Sequence, residues 1–310
     1  MRIHSIAIRY FDAVRKAGSI REAARHLNVA SSAVNRQILK LESELGTPLF
    51  ERLPRGLKLS TAGEVLTRHV AIVLRDAARA QSELDSLKGV KTGRVEVIAV
   101  ESLTADFLPV VIGQLRQHHA RVRVKVLIKD STSVPAAVVN GDVDVGIAFS
   151  IPRNPELRQL AMARFRLGAV MTAAHPLAGR SRVKIADCAD YPLIMSDDQL
   201  SIHHLMQPII VRARRSIAPT IEANSIELMK NLAHRNLGIS FMSRLGLEDA
   251  INKKVLVHVP LEDSGPVYTE LGLYMRSNAG LPAAVDAFVQ IATTEMLRLA
   301  SEEQGSLVAR

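Results

Sequence analysis

The chain has no tryptophan, a single cysteine and few aromatic residues, 4% in all. So few rings exclude the stacking platforms that hold single-stranded nucleic acid. A lone thiol, Cys188, excludes an internal disulfide framework and a cysteine-based zinc cluster, and it suits a reducing compartment. No apolar run approaches the ~18 residues of a membrane span. The first sixteen residues interleave Arg2, His4, Arg9, Asp12 and Arg15 with apolar positions, unlike a secretory signal. A soluble, cytoplasmic protein without a membrane partner is expected. Catalytic signatures are missing too: there is no Gly-x-Gly-x-x-Gly, phosphate-binding loop or Gly-x-Ser-x-Gly. His118-His119 and His203-His204 are adjacent pairs, which face different ways on a helix and lack metal-site spacing. Cys188 sits next to Asp187 with no basic activator nearby in sequence. No enzyme, metal or resident cofactor is expected.

What is present is unevenly distributed charge. The 310 residues suggest about two domains, and 47% hydrophobic residues suffice for large cores. The net charge is +9, and residues 1–60, with 11 Lys/Arg and 5 Asp/Glu, supply +6 of it. A compact basic module points to a polyanion, DNA first; a solvated basic surface is the alternative.

Ile6, Tyr10, Phe11, Val14 and Ala17 recur at helical spacing, so residues 5–17 are predicted to form an amphipathic helix that ends at Gly18. Ser19, with Glu22 three residues on, has capping-box spacing for a second helix through Ala23 and Ala24 to Leu27. Asn28 tolerates the left-handed conformation of a turn. Ser31 or Ser32 can cap a third helix whose apolar face is Val34, Ile38, Leu41 and Leu45, ending at Gly46. This is a helix-turn-helix, and the third helix is its reading helix. Its polar face carries Ser31, Ser32, Asn35, Arg36 and Lys40, residues suited to base edges and phosphates, or simply to solvent. Residues 52–59, Arg-Leu-Pro-Arg-Gly-Leu-Lys-Leu, suit a basic hairpin, a wing with Arg52 and Arg55 near phosphates.

This stretch resembles the amino-terminal domain of LysR-type transcriptional regulators. The resemblance is carried by Phe11, Gly18-Ser19-Ile20, Ala23-Ala24, Leu27, Ser32-Ala33-Val34, Ile38, Leu41-Glu42, Leu45-Gly46, Pro48 to Arg52 and Leu59 to Gly63. Two positions depart from the family pattern: Ala30-Ser31 stands where Ser/Thr-Gln is frequent, and Asn35 where Ser is. Both lie in the reading helix, so this chain's operator bases do not follow from its relatives.

Thr61 to Leu87 contains no proline. Leu66, Val70, Val73, Ala77, Ala80, Leu84 and Leu87 repeat as the a and d positions of three heptads. They predict a homodimer seam; packing on the chain's own second domain is the alternative. Lys88 to Gly93 then reads as a hinge.

Beyond it, strands are predicted at 94–100, 122–129, 143–149, 191–195, 220–223, 238–242, 255–259 and 271–275. Helices are predicted near 105–119, 133–140, 201–214, 225–235, 244–252 and 281–303, a β-α-β succession implying a parallel sheet. The resemblance continues in Asn140 to Ile147, His175-Pro176-Leu177-Ala178 and Leu237-Gly238-Ile239. It implies a two-lobed fold similar to periplasmic binding proteins, with an effector cleft between the lobes. Ligands of open α/β sheets sit outside the carboxyl ends of strands. There this chain has Ser102, Thr104, Ser131, Thr132, Ser196 and Ser225, with Gln199, His203 and His204 close by and Phe149 and Phe241 as apolar walls or core. Singly, each hydroxyl reads as a helix cap; together they outline a site for a small carboxylate-bearing effector.

The expected protein is α/β overall. A mostly helical winged helix-turn-helix occupies 1–60, a linker and dimerisation helix 61–88, and a two-lobed effector-binding domain 89–310. Its first lobe is about 92–163 with 268–310, and its second about 164–267. The implied function is effector-modulated transcriptional regulation on double-stranded DNA. The effector is a small-molecule co-inducer of unknown identity. The resemblance implies homodimers that assemble into homotetramers, and RNA polymerase is a further partner. A transport solute-binding protein, or an enzyme on the same fold, is the alternative.

Overall fold

The structure, a computed structural model, describes residues 6–53, 56–87, 93–213 and 215–308. The chain forms two compact units, one essentially residues 1–90 and the other most of residues 91–310.

In the first unit, α1 (Ile6–Ala17), α2 (Ile20–Leu27) and α3 (Ser31–Leu45) precede a hairpin, β1 (Phe50–Leu53) and β2 (Gly56–Leu59), and a long helix, α4 (Thr61–Leu87). Gly18, Asn28 and Gly46 take left-handed φ of 63°, 53° and 68°, which stops each helix where the sequence predicts. Phe11, Val14, Ala23, Ala24, Val34, Ile38, Leu49 and Val70 form the core. The two alanines allow close helix approach, and the Phe11 and Phe50 rings lie 5.3 Å apart. The Glu42 carboxylate accepts the Leu49 and Phe50 N–H groups at 2.7 and 3.3 Å, tying α3 to the wing. Ser60 accepts the Gly63 N–H and donates to the Pro48 carbonyl, which anchors the start of α4. Gly63 is required there, because a Cβ would lie 2.2 Å from the Leu49 carbonyl oxygen.

Several expectations for this unit are corrected. Ser19 precedes α2 but its side chain makes no capping bond, and Glu22 instead pairs with Arg25 and His26. Ser31 and Ser32 lie inside the first turn of α3, behind Ala30, and cap nothing. Leu45 is exposed. The heptad seam is interrupted: Val70 is fully buried in the winged-helix core, and Leu66 packs against the same core. The head takes the first seam positions because α4 begins by packing on α1 and β2. Arg55, the Arg52 side chain and residues 88–92 of the expected hinge lie outside what the structure describes.

The second unit is built on nine described strands. In its first lobe, β3 (Gly93–Ala99) pairs in parallel with β4 (Val122–Ile128) and β5 (Val145–Phe149). Helices α5 (Phe107–His118), α6 (Ser133–Val139) and α11 (Ala283–Val308) accompany them. In the second lobe, β7 (Leu193–Ser196) pairs in parallel with β8 (Ile221–Ala223) and β9 (Ile239–Ser243). This lobe also has α7 (Ile185–Cys188), α8 (Ser201–Arg212), α9 (Ile226–His234), α10 (Glu248–Asn252) and β10 (Leu256–Pro260). Arg244 to Leu247 form a turn, not the start of α10.

The sheet is mixed, not parallel throughout. A sixteen-residue strand absent from the sequence expectations, β6 (Leu157–Thr172), runs through both lobes. Its first part pairs antiparallel with β11 (Tyr268–Arg276), which also pairs with β5. Its last part pairs antiparallel with β9 and β10. One core fills the first lobe, around Phe107, Phe165 and Phe288. Two clusters, one around Leu167 and Phe241 and one around Ile194 and Met229, fill the second. Among the described residues no helix is long and apolar enough to cross a membrane.

Candidate DNA and effector sites

On α3, burying Val34 and Ile38 turns the opposite face outward. Ser32, Arg36 and Lys40 follow each other at intervals of four, so they form one stripe, with Ser31 beside it. Ser31, Ser32, Arg36 and Lys40 are exposed, and Asn35 is half-buried. Arg36 makes no ion pair among the described residues, whereas Lys40 lies a loose 3.7 Å from Glu44. Lys58 on β2 is also exposed, a cation of the wing. The stripe can place hydroxyl, amide and cationic groups in a groove, the chemistry that base edges and phosphates need. Along α4, Val73 and Ala77 are half-buried, and Ala80 and Leu84 exposed, so the apolar stripe open to a partner runs from Val73 to Leu84. The Leu87 side chain lies outside the described ones.

The second unit encloses a cavity of about 270 Å³ between its lobes. Of the residues expected at the effector site, Ser102, Ser131 and Gln199 line it, as does Phe149. Ser131 is buried and its hydroxyl accepts the Phe149 N–H at 3.3 Å. The others lie outside. Thr104 is exposed and donates to the Glu101 carbonyl at 2.7 Å. Thr132 donates to the Asp130 carboxylate. Ser196 is buried at the end of β7, and its carbonyl accepts His203 Nδ1–H at 2.9 Å, which turns His203 from the cavity. Ser225 caps α9 by accepting the Leu228 N–H at 3.1 Å. Phe241 is wholly core.

Sequence reasoning missed Glu101, Lys129, Asp130, Asn224, Ser243 and Thr269, which also line the cavity. Lys129 and Asp130 follow β4 directly, so the end-of-strand rule points at them as much as at Ser131. Thr269 lies within a strand, where no local signal marks it. The two carboxylates change the electrostatics. Burial opposes the Asp130 charge, but hydrogen bonds from Thr132 and Ser133 outweigh it and hold this carboxyl below its ordinary range. Asp130 thereby caps α6, accepting the Ser133 N–H at 2.9 Å. Glu101 accepts from Ser225 and from the Glu227 N–H at the start of α9. The starts of α6 and α9 are therefore occupied by the chain's own acids, whereas Leu200, Ser201 and Ile202 at the start of α8 line the cavity without a side-chain cap. Lys129 lines the cavity without an ion pair among the described residues.

Other sequence motifs serve structure. Asp144 accepts the Glu96 N–H at 2.8 Å and so holds β3 to the approach of β5. His175 accepts the Leu177 N–H and packs edge-on to Tyr191, 4.5 Å between rings. Cys188 is buried, and burial reinforced by Asp187 pushes its thiol up to about 12, far from a reactive thiolate. No group of three or more His, Cys, Asp or Glu among the described residues could hold a metal.

Comparison with known proteins agrees with this arrangement. Residues 6–64 match the model of the bacterial regulatory helix-turn-helix protein, lysR family, and residues 88–297 match that of the LysR substrate binding domain. A RuBisCO operon transcriptional regulator of Allochromatium vinosum is 26% identical over 96% of this chain and 98% of its own. A probable RuBisCO transcriptional regulator of Synechocystis is 28% identical over 83% of this chain and 76% of its own. A full-length OxyR variant from Pseudomonas aeruginosa shares the fold at a TM-score of 0.73 and 17% identity, covering 97% of both chains. CbnR in complex with its target DNA shares it at 0.65 and 18% identity, covering 93% of this chain and 98% of its own. The chain thus belongs to the LysR family: it is a DNA-binding transcriptional regulator with an amino-terminal helix-turn-helix and a carboxy-terminal effector-binding domain.

Proposed function

We propose that α3 reads an operator in the major groove through Ser31, Ser32, Asn35 and Arg36, while Arg36, Lys40, Lys58 and the wing hold phosphates. Two chains pair through Val73, Ala77, Ala80 and Leu84 of α4, which presents two reading helices to the half-sites of an inverted repeat. Dimers pair into tetramers in the cytoplasm, with RNA polymerase as the downstream partner. A small carboxylate-bearing effector enters the cavity, its acid group on Lys129, and biases the spacing of the paired heads. A structure of the effector-binding domain of QuiR with shikimate, a relative at 19% identity and a TM-score of 0.54, supports a ligand of this size on this fold. The output is occupancy and geometry on DNA, not turnover of the effector.

The observation that carries this reading is the unpaired, exposed Arg36 on the outward stripe of α3, in a unit that holds two-thirds of the net charge. Fluorescence anisotropy on the DNA upstream of the chain's own gene tests it, titrated with salt. Affinity should fall steeply with salt, and Arg36→Ala should cost about 1–3 kcal/mol and lower the log–log slope by about one unit per subunit. An Arg36→Ala protein with wild-type affinity and slope removes Arg36 from the interface.

A further inference from the structure

Glu101 joins the two lobes at one end of the cavity. It lies in a short turn of 3-10 helix, Glu101–Leu103, that follows β3 in the first lobe. Its carboxylate accepts the Ser225 hydroxyl at 3.1 Å and the Glu227 N–H at 3.3 Å, both at the start of α9 in the second lobe. The first-turn N–H groups of a helix have no partner within the helix, and the positive end of its dipole favours an anion. A ligand carboxylate makes such bonds in other proteins; here a side chain of the opposite lobe makes them. The backbones also close up at this edge. Gly246 of the second lobe, at φ +81°, lies so near Ser102 of the first that a Cβ would sit 2.6 Å from the Ser102 carbonyl oxygen.

Other residues of the cavity are not satisfied in this way. Ser243 and Thr269 are 5% and 6% exposed and line the cavity. Their hydroxyls make no hydrogen bond among the described residues. Lys129 is likewise without an ion pair there. The cavity therefore holds two unbonded hydroxyls, on buried residues, and one cation ready for a ligand, while its α9 end is already filled by an acid.

We propose that Glu101 is an internal stand-in for a ligand's acid group. It ties α9 to the first lobe before any ligand arrives, closes the α9 end of the cavity to carboxylates, and leaves Lys129 as the cation that an effector's acid group meets. Glu101 is in this sense a specificity-determining residue, and its role rests on the cavity being the effector site. It also sets how firmly the lobes hold together without ligand.

The test uses the full chain as wild type, Glu101→Ala and Glu101→Gln, with sodium formate as the probe and sodium chloride as the ionic-strength control. Amide hydrogen exchange is followed at Glu227 and Leu228. Loss of the charged acceptor should speed exchange there about tenfold in Glu101→Ala. Formate, which restores a carboxylate at the helix start, should reverse most of that change where chloride does not. Glu101→Gln, whose amide oxygen still accepts but carries no charge, should fall between wild type and Glu101→Ala. It also serves as the test variant if the alanine protein does not fold. Formate should leave α9 exchange in the wild type unchanged. Wild-type exchange in both variants, or faster exchange indifferent to formate, overturns the proposal. Operator binding by the same wild-type preparation is measured alongside. Its absence counts against the regulatory reading, and the exchange result still decides the role of Glu101.

Discussion

Where β6 leaves the first lobe for the second, two buried titratable groups act in opposite directions. Both carboxylate oxygens of Glu303, on α11, accept the Arg166 N–H at 3.2 Å. Burial pushes Glu303 up to about 7, against the pull of that N–H and of the Arg244 and Arg166 charges, and with the help of Glu248. His258, on β10, is buried and donates to the Met242 carbonyl at 3.1 Å; burial takes it down to about 4. The signs differ. The folded state binds more protons at Glu303 than the unfolded state does between 4.5 and about 7, so this group makes stability fall as pH rises through that window. The folded state binds fewer at His258 between about 4 and 6.5, so stability rises there. Glu303→Gln keeps an acceptor for Arg166 and removes the charge. In urea unfolding it should be more stable than wild type at about pH 8, by on the order of 1–3 kcal/mol, and the gain should vanish towards about pH 5. Equal stability at the higher pH would mean that the ionised carboxylate carries no net penalty. None of this was visible in the sequence, because Glu303 reads there as one more exposed acid on a carboxy-terminal helix. The fold, not the local pattern, brings it under β6. Arg36, by contrast, was legible, since helical spacing alone sets it opposite Val34 and Ile38.

At the scale of elements, α4 does two tasks that its heptad pattern merges. Leu66 and Val70 belong to the winged-helix core, while Val73, Ala77, Ala80 and Leu84 stay open. Val70→Ala should therefore destabilise the head by on the order of 2 kcal/mol through a cavity in the winged-helix core, with little change in self-association. Leu84→Glu should do the reverse, since it places a charge on the open stripe and disturbs no core contact. Thermal unfolding and sedimentation velocity separate the two effects. A Val70→Ala protein that dissociates while its head stays fully stable would return Val70 to the seam. A heptad repeat records apolar spacing but not which apolar surface claims each position, so the sequence showed the helix and overstated the seam. The case of β6 is the converse. Its residues Leu157 to Met162, with leucine, alanine, methionine, arginine and glutamine, favour helix locally and show no alternation, so the Asn154-Pro155 turn before them does not announce a strand. Pairing with β11 on one side, then with β9 and β10, overrides that preference. The strands that were legible, such as β4 and β5, carry their own alternation or β-branched runs.

At the scale of the molecule, β6 decides how the effector domain holds together. The first lobe is not continuous in sequence: β3 to the first part of β6 come before the second lobe, and β11 and α11 after it. Each lobe therefore needs a strand that the other helps to position, and the Glu303–Arg166 bond fastens the returning helix to the crossing point. Under these constraints one lobe cannot unfold without releasing an edge of β6, so the two should unfold together. The chain's lack of tryptophan makes this measurable, because a single introduced indole reports on one place. Ile112→Trp, at the border of the first-lobe core, and Tyr191→Trp, at the border of the second, replace half-buried residues and so avoid overpacking a closed interior. Their fluorescence transitions in urea should share one midpoint and one slope, and both should coincide with the loss of protected amides in β6. A second-lobe probe that melts first, with β6 protected only from Leu157 to Arg166, would show that the crossing strand can be peeled at Leu167. The lobes would then be independent folding units, and a ligand in the cavity would stabilise them by joining two bodies, not by filling one.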